Sequence, residues 1–121
     1  MKKRFDQLLA GYAEGDAISQ EARMLRDILR ELGFESDIFA PQESIAAAVL
    51  NDCRLLDKYD PAAVEGCILH YSTESPVNDA FARSSGRKIA KYHNITPAEF
   101  FLFCQKFSAF NSTIFHLLRG G

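Results

Sequence analysis

Short apolar runs, set off by polar stretches that carry glycine or proline, alternate along this chain with segments whose apolar residues recur every three or four positions. The first run, Phe5 to Ala10, reads as a strand that ends at Gly11. The following Gly11-Tyr12-Ala13-Glu14-Gly15-Asp16 supplies two glycines and a capping carboxylate. Beyond it, Ile18, Ala22, Leu25, Leu29 and Leu32 recur at steps of four, three, four and three, while Glu21, Arg23, Asp27 and Arg30 fall elsewhere on the wheel. This spacing predicts an amphipathic helix with Asp16 as N-cap and Gly33 as its stop.

Phe34 to Ala40 reads as a second strand closed by Pro41, with Ile38 and Phe39 inward and Glu35 and Asp37 nearer the rim. The alanine-rich stretch from Ile45 to Leu56 predicts a helix, followed through Lys58-Tyr59-Asp60-Pro61 by a loop or a short extended piece. Gly66-Cys67-Ile68-Leu69-His70-Tyr71 has the continuous apolar character of a strand buried on both faces, and is the third strand expected. Ser75-Pro76 then places a hydroxyl cap before a first-turn proline, with Val77, Ala80 and Phe81 inward and an end near Gly86. A fourth strand is expected from Lys88 to His93, and Thr96-Pro97-Ala98-Glu99 predicts a further helix starting at Pro97. Strands joined by helix-sized connections are parallel, so the pattern predicts one α/β domain over 1–121, with helices layered on both faces of a mainly parallel sheet.

Composition agrees with a single globular domain: 121 residues, 47% apolar and 25% charged. Such a chain buries roughly two-thirds of its unfolded surface and folds without disulfide or metal. With 14 basic against 16 acidic side chains it lacks the basic footprint for a phosphate backbone, so no nucleic-acid partner is expected. Cys53, Cys67 and Cys104 are odd in number and lie in apolar surroundings, which suits reduced thiols and a cytoplasmic setting. Met1-Lys2-Lys3-Arg4 is followed by Asp6, and no apolar run reaches the length of a signal peptide or transmembrane segment. Six of the ten phenylalanines lie between Phe100 and Phe115, a concentration of aromatic surface that predicts either packing across the sheet or association with further chain, and with it a homo-oligomer.

Ligands of open parallel sheets bind beyond the carboxyl ends of the strands, and three candidate groups fall there. In the loop Gly11 to Asp16, Gly11 and Gly15 permit close backbone approach, and the helix after Asp16 presents free N–H groups to an anion such as a diphosphate; the same residues also suit a plain turn and cap. The spacing is not that of G-x-G-x-x-G, and no P-loop lysine is present. The polar stretch with Ser72 follows the third strand, where Ser75 is spent on capping and His70 reads as a satisfied core histidine. His93 and Asn94 close the fourth strand, where a histidine can donate to a sugar hydroxyl or phosphate oxygen, or satisfy a backbone carbonyl. His70, His93 and His116 are too far apart for a zinc motif, there is no C-x-x-C, D-x-D or G-x-S-x-G, and the acids of a phosphoacceptor receiver domain are missing. No metal and no cofactor are expected.

Gln7 to Ser19 with its GYAEGDAIS string, Glu21-Ala22, Ile68-Leu69-His70-Tyr71-Ser72 and the YHNITPAEFF string from Tyr92 together resemble the N-terminal domain of family-4 (group 1, GT-B fold) glycosyltransferases, in order from about Gln7 to Phe101. The resemblance implies a Rossmann-like domain, the acceptor side of a two-domain enzyme of hexosyltransferase type that moves a sugar from a nucleotide-sugar donor to an acceptor with retention at the anomeric carbon. It implies that Gly11 to Asp16 approaches the donor diphosphate, that His93 lies near the donor sugar as the catalytic residue, and that no metal is needed. The chain departs from the family in stopping before the donor-binding domain and its glutamate-rich signature, and in carrying Ala10 where relatives commonly have proline. The isolated chain is therefore expected to be a half-site without turnover. The alternative is a non-catalytic α/β binding or interaction module built on the same fold.

Overall fold

The structure, a computed structural model, describes residues 3–72, 75–93 and 113–118. Its first strand, β1 (Phe5–Leu9), leads through the glycine loop into α1 (Ala17–Glu31). Local chemistry delimits α1 at both ends. The Asp16 carboxylate accepts from Ser19 N at 2.9 Å and Ser19 Oγ at 2.8 Å. At the other end Gly33, at φ +97, donates to Arg30 O and Phe34 N donates to Leu29 O, a Schellman closure. Ala22 is buried and Ile18, Leu25 and Leu29 are half-buried, as the periodicity predicts, but Leu32 lies past the helix and is 69% exposed.

β2 is shorter than expected, Ile38–Ala40; the chain ahead of it forms an isolated bridge between Arg4 and Glu35 and accepts from Phe5 N at Glu35 O and from Gln7 N at Asp37 O. The helix expected from Ile45 to Leu56 does not form. Short 3-10 turns at Gln42–Ser44, Ala47–Asp52 and Leu56–Lys58 take its place, with a two-residue strand, β3 (Arg54–Leu55), between the last two. The alanines favour helix but offer no apolar stripe: Ala46, Ala47 and Ala48 are exposed and Val49 alone is buried between Ile45 and Asp52. The backbone around Ser44 and Ala46 is instead bonded to Tyr12.

β4 (Gly66–Tyr71), α2 (Pro76–Arg83) and β5 (Arg87–His93) follow the sequence reading closely, with Ser75 as the N-cap of α2. β6 (Thr113–Leu118), a strand not expected from the sequence, pairs with β5. The helix expected at Pro97 and the phenylalanines from Phe100 to Phe110 lie outside the described residues.

All pairings between these strands are parallel, in the order β3-β2-β1-β4-β5-β6. This is the doubly wound, Rossmann-like order, whose direction reverses between β1 and β4. Alternation along the strands makes two cores. Leu8, Phe39, Cys67, Leu69 and Ala90 pack with Val77, Ala80 and Phe81 of α2; Leu9, Ile38 and Ala40 pack on the other face with Ala22 of α1, Tyr12, Val49 and Cys53. Cys53 and Cys67 are buried free thiols. Burial pushes the Cys53 thiol up to about 11 and the Cys67 thiol up to about 12, so both stay protonated and unreactive at neutral pH. No helix among the described residues is long and apolar enough to cross a membrane.

Candidate functional site

In open parallel sheets the ligand crevice forms where the strand order reverses, which here is at the carboxyl ends of β1 and β4. Leu9 is in register with His70, and Tyr71 with Tyr92. Continuing these registers to the strand ends puts Gly11, Ser72 and His93 at one level of the sheet, on three neighbouring strands. The candidates far apart in sequence are thus gathered on one edge; Asn94 lies outside the described residues.

Each part of the glycine loop has its own reason. A Cβ on Gly11 would stand 3.1 Å from Ser44 O, so a side chain at residue 11 would require the 42–44 turn to give by a few tenths of an ångström. Tyr12 N donates to Ser44 O at 3.0 Å, and Ala46 N donates to Tyr12 O at 2.8 Å. Gly15 sits at φ +74 with open space around it, the position where the loop turns into α1. Ser19 Oγ also accepts from Ala13 N at 3.2 Å, which ties the loop to the first turn of the helix.

Asp16 is occupied as the cap of α1, and its carboxylate already offsets part of the positive end of that helix. The N–H groups of Ala17 and Ile18 have no intrahelical partner, and they are what α1 can offer an anion. Asp16→Ala should therefore cost about 1 kcal/mol of stability, and Asp16→Asn little. Urea denaturation of the two variants checks this, and an equal loss in both would mean that the charge, rather than the cap, matters.

Beneath the crevice on the α1 face lies a polar layer inside the core. Gln7 Nε2 donates to Ala22 O at 2.7 Å, and Gln7 Oε1 meets His70 Nε2 at 2.8 Å, so His70 is a buried, satisfied core histidine. Next to it Lys91 of β5 pairs with Glu21 of α1. This pair ties α1 to the strand that ends in His93.

On the α2 side the sequence reading missed Asn78. It is buried, its Nδ2 donates to Ser72 O at 3.0 Å, and its Oδ1 has no partner among the described residues. Asn78 thereby fixes the backbone where β4 gives way to the helix. Its one signal in the sequence is its place in the first turn after a Ser-Pro cap. Beside α2 runs an open cleft of about 470 Å³, in whose wall Glu43, Asp57 and Asp79 face Arg83 alone. Among the described residues no three histidine, cysteine or acidic side chains come together to hold a metal ion.

Compared with protein-family models, with curated proteins and with solved structures, the chain matches none.

Proposed function

We propose that this chain is the N-terminal, acceptor-side domain of a retaining glycosyltransferase of hexosyltransferase type. The observation that supports this most is the coincidence of the glycine loop with the strand-order reversal, beside Ser72 and the end of β5 at His93. In the reaction, the bond from the donor's anomeric carbon to the diphosphate breaks. The acceptor oxygen then bonds to that carbon on the same face, and the diphosphate leaves with the electron pair and takes up the proton that the acceptor hydroxyl gives up. The loop from Gly11 to Asp16 approaches the diphosphate with backbone N–H groups, and His93 hydrogen-bonds the donor sugar as charge develops at its ring. Ser72 completes the polar edge of the site, and the sequence resemblance adds Asn94 as a substrate-binding residue. The cleft beside α2, with three carboxylates against one guanidinium, suits a neutral polyhydroxylated acceptor better than a phosphorylated one.

Contacts to the donor's nucleotide belong to a second domain, and without them the transition state is not bound more tightly than the ground state. The purified chain, given UDP-, GDP- and ADP-hexoses in turn, should show amide shifts confined to the loop 11–16 and its surroundings. It should show no turnover above a His93→Ala control. Turnover above that control would refute the half-site, and an absence of loop shifts at millimolar donor would refute the reading altogether. Buried, protonated thiols at Cys53 and Cys67 suit a cytoplasmic enzyme, and self-association through the segment from Phe100 to Phe115 belongs to the same proposal.

A further inference from the structure

Between the two glycines stands Tyr12, and this residue is held far more tightly than a loop residue at a strand end needs to be. Its side chain is 1% exposed and packs with Leu9, Ala22, Ile38, Val49 and Cys53. A phenylalanine would fill that space equally well. The hydroxyl, however, reaches through the core to the far side and bonds the carboxylate of Asp52. Arg23 Nη1 donates to the same hydroxyl at 3.2 Å, and its guanidinium stands 5.5 Å over the Tyr12 ring.

Asp52 is in turn fixed by α1. Arg26 Nη2 pairs with Asp52 Oδ1 at 3.1 Å, and Arg26 Nη1 donates to Asp52 O at 2.9 Å. Arg26 is buried and its Nε has no hydrogen-bond partner among the described residues. A buried donor left unsatisfied is unfavourable, so the arginine is held in this geometry by its two bonds to Asp52 rather than by a full set of its own. Burial works against the charge of Asp52, but the Tyr12 hydroxyl and Arg26 hold its carboxyl below the usual aspartate value; burial, and then Asp52, push the Tyr12 hydroxyl up. At neutral pH the tyrosine is therefore the donor and the aspartate the acceptor.

Three segments meet in this network: the glycine loop, the second and third turns of α1, and the 47–52 turn that replaces the expected helix. On the backbone side Tyr12 is bonded to Ser44 and Ala46. On the side-chain side it is bonded to Asp52. The loop is thus fastened at two points to a segment that is not part of the crevice.

We propose that Tyr12, Asp52 and Arg26 form a latch that sets the glycine loop in its binding geometry before any ligand arrives, with Asp52 as the positioning residue. The inference rests on the reading of that loop as a diphosphate site. A loop ordered in advance loses less entropy on binding, so the latch raises affinity without touching the ligand. It also accounts for a tyrosine at this buried position, where packing alone asks only for an aromatic ring.

Two variants test it, Tyr12→Phe and Asp52→Asn, with two readouts on the whole chain. The first is amide hydrogen exchange without ligand. The amides of Tyr12, Ala13 and Gly15 should exchange about tenfold faster in both variants, with those of Leu8 and Leu69 in the strands unchanged. The second is titration with UDP followed at the loop amides, where the Kd should rise about tenfold in both variants. Unchanged loop exchange in both variants would overturn the latch, whatever UDP does. Faster exchange with unchanged UDP affinity would overturn the positioning role. Faster exchange in a protein whose loop does not respond to UDP even as wild type would leave a latch but overturn its assignment to a diphosphate site. Tyr12→Phe removes a single oxygen, so it keeps the test decisive if Asp52→Asn fails to fold.

Discussion

Gly86→Ala should be severely damaging, lowering stability by about 3 to 5 kcal/mol, from a left-handed backbone forced on alanine and a clash that nothing soft can relieve. Gly86 joins α2 to β5 at φ +75, and a Cβ there would lie 2.2 Å from Glu65 O and 2.8 Å from Val64 O. Both neighbours are backbone, and Glu65 O also accepts from Arg87 N at 2.9 Å. Relief of the clash must therefore disturb the start of the β4–β5 pairing, where Gly66 is in register with Arg87. Gly33→Ala provides the comparison. Gly33 has a similar φ but nothing within 4 Å of a Cβ, so it should lose only the backbone part, about 1 kcal/mol. Urea denaturation of both variants checks the difference, and equal losses would show that the clash at residue 86 carries no energy.

Removal of Arg4 as Arg4→Met should cost about 3 kcal/mol near pH 7, the lower end of the range for breaking a buried pair because the arginine itself is partly exposed. Asp6 is 1% exposed, on the face of β1 that packs under α2. Arg4 grips its carboxylate with Nε at 3.1 Å and Nη2 at 2.9 Å, while Asp37 N donates to it at 2.9 Å. The same guanidinium bonds Asp37 Oδ2 at 2.7 Å. Methionine fills the space and leaves a buried charge without its counterion.

The pH dependence distinguishes this cause from lost packing. Burial pushes the Asp6 carboxyl above its ordinary value, only partly offset by Arg4 and the Asp37 N–H. A group of this kind takes up its proton more readily when folded, so its contribution to stability improves as pH falls. Without Arg4 the shift grows, and the deficit of the variant should shrink as pH falls from 7 towards the ordinary aspartate range. Burial opposes the charge of Asp37, but Arg4 and Arg54 hold its carboxyl below the ordinary 3.8. Its contribution in the wild type is present above that value and fades only at lower pH. Stability curves over this range test the account, and a deficit independent of pH would point to packing alone.

How much of this was legible in the sequence depended on the range of the interactions involved. α1 could be read to its ends because its cap, its apolar stripe and its Schellman closure all lie within a few residues of one another. β4 was legible because a strand buried on both faces must be apolar at nearly every position. The candidate crevice followed from the alternation of strand and helix, since parallel strands send all their carboxyl ends to one edge. Asn78 was not legible, because its value comes from a carbonyl at the end of β4 rather than from its helix.

The 45–56 segment shows where local reading gives out. Helix propensity is a weak preference summed over single residues, and Tyr12 outweighs it by bonding the backbone at Ser44 and Ala46 and holding Asp52 from across the core. Two buried polar groups belong with it: Gln7 finds its partners only in the Ala22 carbonyl and His70, and Asp6 adds the distant Asp37 N–H to its neighbour Arg4. The sequence by itself determined the class of fold, the limits of α1, the start of α2 and the edge on which Gly11, Ser72 and His93 stand, because periodicity and capping act within a turn or a strand. Only the tertiary structure decided the strand order, the 3-10 path between β2 and β3 and the Tyr12–Asp52, Arg26–Asp52 and Tyr59–Ser84 pairings, because those depend on partners that the fold brings from 25 or more residues away.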